Sequence, residues 1–141
     1  MTQKITPYLF YEDVDAALEF LARAFGFEEV LRFTGENGYV NHAEMRLGDE
    51  SIMLGAPGKD FRNPKQLGQA TVGIHVVVDD VDAHYERARA AGAEIVMEPT
   101  DQAYGDRRYD AADPEGHHWY FAQHIRDVAP EEWGAQAAAR R

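Results

Sequence analysis

The sequence predicts an α+β protein built from two tandem βαβββ modules, and three observations lead there. The chain repeats itself: Glu12-Asp13-Val14-Asp15-Ala16 returns as Asp79-Asp80-Val81-Asp82-Ala83, with Asp13 and Asp80 sixty-seven positions apart. In both copies an apolar run of strand character precedes the acidic motif, and apolar residues at helical spacing follow it. Turn-forming residues then punctuate each copy at intervals that suit short strands.

Residues 8–11 read as the first strand. Asp13 is placed to cap a helix, because its carboxylate can accept one of the backbone N–H groups that the first turn leaves unpaired. Val14, Ala17, Leu18, Leu21 and Phe25 form one apolar stripe, and Gly26 supplies the left-handed residue that closes the helix. Strands follow over residues 28–33, 39–47 and 51–55, with Gly48-Asp49 as a turn. This completes a first module over residues 1–56.

Residues 57–69 are rich in Pro, Gly, Lys and Asn and show no period, so they read as an exposed, mobile linker. The second module, residues 70–124, opens with a strand over 72–78 and a helix capped by Asp80. Its stripe is Val81, Tyr85, Ala88 and Ala91, and Gly92 ends it one residue earlier than in the first copy. Strands over 94–97, 106–111 and 117–123 close the module, the last two joined by Asp113-Pro114-Glu115-Gly116. The tail, residues 125–141, is expected to form a short helix after Pro130, with Trp133 covering a hydrophobic edge.

The bulk numbers set the class. With 141 residues, 45% hydrophobic and 11% aromatic, the chain can bury a core without staples. The absence of cysteine removes disulfides and thiolate metal sites and agrees with a cytoplasmic setting. No run approaches the roughly 18 apolar residues of a membrane span, and the first eight residues lack the apolar segment of a secretory signal. A net charge of −11 repels phosphate backbones and attracts cations, so nucleic acid is not an expected partner. The Asp and Glu residues at 12, 13, 15, 79, 80 and 82 sit where the helix dipoles favour them and need no functional role.

Several motifs carry a resemblance. Ala24-Phe25-Gly26-Phe27 and Ala90-Ala91-Gly92-Ala93 end the two helices, and Tyr104-Gly105-Asp106-Arg107-Arg108 leads to Asp113-Pro114-Glu115-Gly116-His117. With the duplication, these make residues 4–124 resemble the glyoxalase/bleomycin-resistance/dioxygenase superfamily, the vicinal oxygen chelate proteins, in its bleomycin-resistance-like or PhnB-like branch. The resemblance implies that the sheets curl into a cup holding a small molecule, often completed by a second chain, and hence a homodimer. Metal-dependent members carry His, Glu or Gln at four strand positions, which fall here at Thr6, Met53, Gly73 and Tyr120. None is a usual ligand of a catalytic divalent ion, so no metal cofactor is expected. A rival set is His42, Glu44 and His75, which would hold a divalent metal in an open site; otherwise His42 and Glu44 are a surface pair and His75 a hydrogen-bonded interior residue.

If those four positions face inward, alternation brings Tyr8 and Phe10 inward with Met53, and His75 with His118 and Tyr120. Arg107 and Arg108 follow the loop and can reach a ligand carboxylate or pair with Asp106 or Asp110. The candidate ligand-binding residues are thus Tyr8, Phe10, Met53, His75, His118, Tyr120 and Arg107; a core that fills the cup is the competing use of the aromatics. The sequence shows neither a Ser-His-Asp series nor a phosphate-binding glycine loop. It is read as a metal-free binding protein that sequesters an aromatic compound, cationic where charged, as in antibiotic resistance. The alternative is a metal-dependent lyase, isomerase or dioxygenase of the same superfamily.

Overall fold

The computed structural model describes residues 3–139, so Met1, Thr2, Arg140 and Arg141 lie outside the described residues. The first module runs β1 (Tyr8–Phe10), α1 (Val14–Phe25), β2 (Glu28–Thr34), β3 (Val40–Leu47) and β4 (Glu50–Gly55). A one-turn helix, α2 (Pro64–Leu67), stands in the connector. The second module runs β5 (Gly73–Val77), α3 (Val81–Ala90), β6 (Glu94–Asp101), β7 (Asp106–Ala112) and β8 (His118–His124). Each module forms its own four-stranded sheet, ordered β1-β4-β3-β2 and β5-β8-β7-β6, with the first pair parallel and the rest antiparallel. Among the described residues no helix is long and apolar enough to cross a membrane.

The local signals act as the sequence suggests. Asp13 accepts from the Ala16 N–H at 3.0 Å and Asp80 from the Ala83 N–H at 3.1 Å, while Gly26 takes φ 84° at the end of α1. The two helices differ by more than expected, 12 residues against 10, because Ala91 leaves helical geometry one position before Gly92. β6 extends to Asp101, four residues beyond expectation. It is an edge strand with irregular pairing between Met97 and Thr100, the kind of position where Pro99 is tolerated.

One core serves both modules. α1 buries Val14, Ala17, Leu18, Phe20, Leu21, Ala24 and Phe25, and its far end meets Trp119 and Phe121 of the other sheet. The helices also cap each other. Arg87 donates to the Ala22 and Arg23 carbonyls of α1, both at 2.9 Å, and Arg23 donates to the Ala91 carbonyl after α3 at 3.2 Å. Cations at helix C-termini satisfy unpaired carbonyls and oppose the dipole.

His84 joins this seam, with Nε2 donating to the Phe25 carbonyl at 3.1 Å and Nδ1 accepting from the Tyr109 hydroxyl at 2.5 Å. Desolvation holds its pKa below the usual 6.5 despite the Phe25 bond, and the Arg87 charge adds to the lowering. The stability contributed by neutral His84 is therefore present above about pH 6.5 and drains away as the pH falls towards the lowered folded value. His124, raised by its bonds to Asp127 and Asp106, works with the opposite sign. The informative measurement is thus a comparison: between pH 8 and pH 5, the urea midpoint of the parent should fall more than that of His84→Gln. Parallel pH curves would refute the assignment.

The connector is largely exposed, as its composition suggests, but it is fastened at one turn. Asn63 is buried and forms a reciprocal cap with Gln66, both bonds 2.9 Å. Its amide donates to Glu115 at 3.1 Å, and the Lys65 N–H donates to the Glu115 carbonyl at 2.9 Å. The Glu115 carboxylate also accepts from the Glu12 and Asp13 N–H groups, at 2.6 and 3.0 Å. One turn of the second module thus holds both the connector and the start of α1. In the tail, a 3-10 turn over Pro130–Trp133 follows Pro130, and Trp133 packs on Tyr104 with centroids 5.7 Å apart.

Candidate functional site

The helices cover one side of each sheet, and strand alternation decides what the other side presents. In β4, Ile52 and Leu54 are buried and Met53 lies opposite; in β8, Trp119 and Phe121 are buried while His118 and Tyr120 face away. β1 adds Tyr8 and Phe10 to the open face of the first sheet, and β5 adds His75 to that of the second. Tyr8 neighbours Met53 and His75 neighbours Tyr120 in the ladders.

Tyr8 and Phe10 are 48% and 45% exposed, with centroids 5.3 Å apart. Both line a cleft of about 430 Å³ between β1, β5 and the connector, walled also by Phe61, Leu67, Val72 and Ile74. That volume lies in the range of small-ligand sites. Across the same seam, a cleft of about 420 Å³ takes in His75 and Val77 with Gln3, Pro7 and Ser51. His118 borders a smaller depression of about 220 Å³, and Met53 and Tyr120 lie on the open faces outside these concavities. A further concavity of about 350 Å³ at the start of α1 is rimmed by Asp113 and Glu115, whose carboxylates are already committed to protein donors.

Tyr8 does more than offer a flat surface. Its hydroxyl lies 2.8 Å from His42 Nδ1, and His42 Nε2 lies 3.2 Å from Glu44 Oε2. To reach β3 from β1 the ring must pass over β4, and it does so at Gly55, the ladder partner of both Phe10 and His42. A Cβ at Gly55 would stand 2.7 Å from Tyr8 Cε1. The half-buried His42–Glu44 pair was legible from the sequence; its link to Tyr8 was not, because it crosses an intervening strand.

The second sheet carries a different arrangement. The Arg108 guanidinium sits 5.2 Å from the Tyr120 ring centroid and donates to the Tyr104 hydroxyl at 3.0 Å. Its Nη2 donates to Asp110 Oδ2 at 3.4 Å, while Nε lies 2.9 Å from Asp110 Oδ1 as a charge contact, off the line of an aligned hydrogen bond. The arginine of the open face is therefore Arg108, and the expectation for Arg107 is corrected. Alternation about the buried Tyr109 directs Arg107 elsewhere, onto Asp82 at 3.0 Å and Asp101 at 2.9 Å. Those bonds, Asp101's first, raise its pKa and commit it to structure. His75 stands on the open face beside Tyr120, and only its alternative reading as a hydrogen-bonded interior residue is corrected: it is exposed and, among the described residues, makes no side-chain hydrogen bond, because Ile74 and Val76 form the inward side of β5. His117 is used structurally, donating through Nε2 to the Phe10 carbonyl at 2.7 Å.

The donor sets can be judged on chemistry. A hydroxyl, a thioether, a glycine and a phenol at Thr6, Met53, Gly73 and Tyr120 do not suit a divalent ion, and the Tyr120 ring fills the space a side chain at Gly73 would need. In the rival set His42 and Glu44 meet, but His75 stands on the other sheet. Among the described residues no three His, Cys, Asp or Glu side chains are grouped to hold a metal.

Comparison with known proteins bears on this geometry. A family model, Glyoxalase/Bleomycin resistance protein/Dioxygenase superfamily, matches residues 4–121. An uncharacterised protein of Mycobacterium bovis is 38% identical over 133 residues, covering 91% of this chain and 88% of its own. Among solved structures, TioX from Micromonospora sp. ML1 superposes with a TM-score of 0.72 at 35% identity, covering 88% of this chain and all of its own. A glyoxalase/bleomycin resistance protein/dioxygenase from Nocardioides gives 0.68 at 22% identity over 92% and 89% of the two chains, a likeness of fold alone. The paired four-stranded modules and the extent of the match place this chain in the glyoxalase/bleomycin resistance protein/dioxygenase superfamily.

Proposed function

We propose that the protein binds a flat aromatic small molecule without a metal, sequestering it rather than transforming it. The observation that carries this reading is the pair of half-exposed rings, Tyr8 and Phe10, lining an apolar cleft on a sheet face where the superfamily's ion-binding positions hold unsuitable groups. Stacking on such rings contributes roughly 0.5–1.5 kcal/mol per aromatic pair beyond buried area. The net charge of −11 favours cationic compounds among the candidates.

A homodimer belongs to the same proposal. Phe33, Val77 and Val96, at 61, 70 and 58% exposure, leave apolar side chains on the sheets that a second copy would cover.

Calorimetry against planar aromatic compounds, neutral and cationic, is expected to give micromolar binding, about −8 kcal/mol. Tyr8→Ala should weaken it by about 3- to 10-fold. No heat across the panel would dismiss the reading. So would one tightly held Zn, Ni, Mn or Fe per chain in protein purified without chelator, which would restore the metal-dependent alternative.

A further inference from the structure

We infer that the Tyr8–His42–Glu44 chain turns the Tyr8 phenol into a dedicated hydrogen-bond acceptor, so that the site selects aromatic ligands carrying an O–H or N–H donor. The inference rests on the ligand reading above and adds the polarity of one contact.

The direction of the chain follows from what each group can do. Glu44, as a carboxylate, only accepts, so His42 Nε2 must carry the proton that faces it at 3.2 Å. A neutral imidazole with its proton on Nε2 has a lone pair on Nδ1. To the neutral imidazole the Tyr8 hydroxyl, 2.8 Å away, therefore donates at Nδ1, and it has no proton left for a ligand. What it leaves on the open face of the first sheet, over Gly55, is an oxygen with lone pairs only, on a residue that is 48% exposed. An ether or carbonyl oxygen brought against it meets two acceptors facing each other; a hydroxyl or amine completes the chain.

Gly55 is the positioning residue. Because a Cβ there would come within 2.7 Å of the Tyr8 ring, Gly55→Ala pushes the phenol off His42 and frees its proton.

Two measurements test the inference. In the ligand-free protein, nitrogen-15 spectra of His42 should show the Nε2–H tautomer; an Nδ1–H tautomer overturns it. For binding, the probes are 2-naphthol and 2-methoxynaphthalene, which share a ring and differ in the donor. The parent's preference for naphthol should exceed that of Tyr8→Phe by about 3- to 10-fold, the worth of one net hydrogen bond. Gly55→Ala should reduce the preference in the same direction while naphthalene binding persists. If both probes bind and the ratio is the same in parent and Tyr8→Phe, the proposed function stands and the acceptor subsite is refuted. If neither binds, the function fails and takes the subsite with it.

Discussion

Asp113→Ala should lower the unfolding free energy by about 4 kcal/mol or more, measured as a shift in the urea transition. Asp113 is 3% exposed and serves four donors. The Tyr11 hydroxyl reaches Oδ2 at 2.7 Å and the Trp119 indole N–H reaches it at 3.2 Å. The Glu115 and His117 N–H groups bond Oδ1 at 3.1 and 3.0 Å. Truncation strands all four, and a buried donor without a partner costs about 1–3 kcal/mol. Against a typical total stability of about 5–15 kcal/mol, such a loss leaves a marginal protein. The surroundings agree: burial first, then the charge of Asp113, pushes the Tyr11 pKa well above its usual value. Tyr11→Phe removes a single bond and should cost far less. A midpoint for Asp113→Ala equal to that of Tyr11→Phe would refute the four-donor account.

Phe25→Ala should cost about 3–5 kcal/mol, the range for deleting a buried aromatic ring. Phe25 is 1% exposed, and although it ends α1 of the first module it packs on Phe121 and Trp119 of the second, with centroids 4.6 and 5.3 Å apart. His84 stacks near it at 6.2 Å. The loss therefore falls on the contact between the modules. The parent should unfold in one cooperative transition followed alike by tryptophan fluorescence and circular dichroism. In Phe25→Ala both probes should shift together if the modules stand or fall as one. A shift in fluorescence alone would mean that the halves unfold independently.

What the sequence disclosed and what it hid divide along physical lines. The caps at Asp13 and Asp80, the stripe of α1 and the alternation in β8 are local, each decided within a few residues, and all are as read. β6 runs past residue 97 because Pro99 is tolerated at a sheet edge, a property of topology. The one-turn helix inside the connector was hidden because its fastening comes from Glu115, more than fifty positions along the chain. Arg107 and Arg108 were distinguishable in principle: once Tyr109 is inward, alternation places its neighbour Arg108 outward. Tyr8, Phe10, Met53, His118 and Tyr120 lie on the faces that alternation predicted, but the two sheets keep them in separate groups. The Tyr8 to His42 bond had no linear signature beyond a glycine in the strand between them.

The grip of Glu115 on the connector and on the start of α1 bears on how two chains could entangle. Tandem halves joined by a slack hinge invite neighbouring molecules to trade them. Here the hinge is clasped by the second half, and the same carboxylate fastens the first. A trade would begin by breaking those bonds, so Glu115 raises the barrier to it.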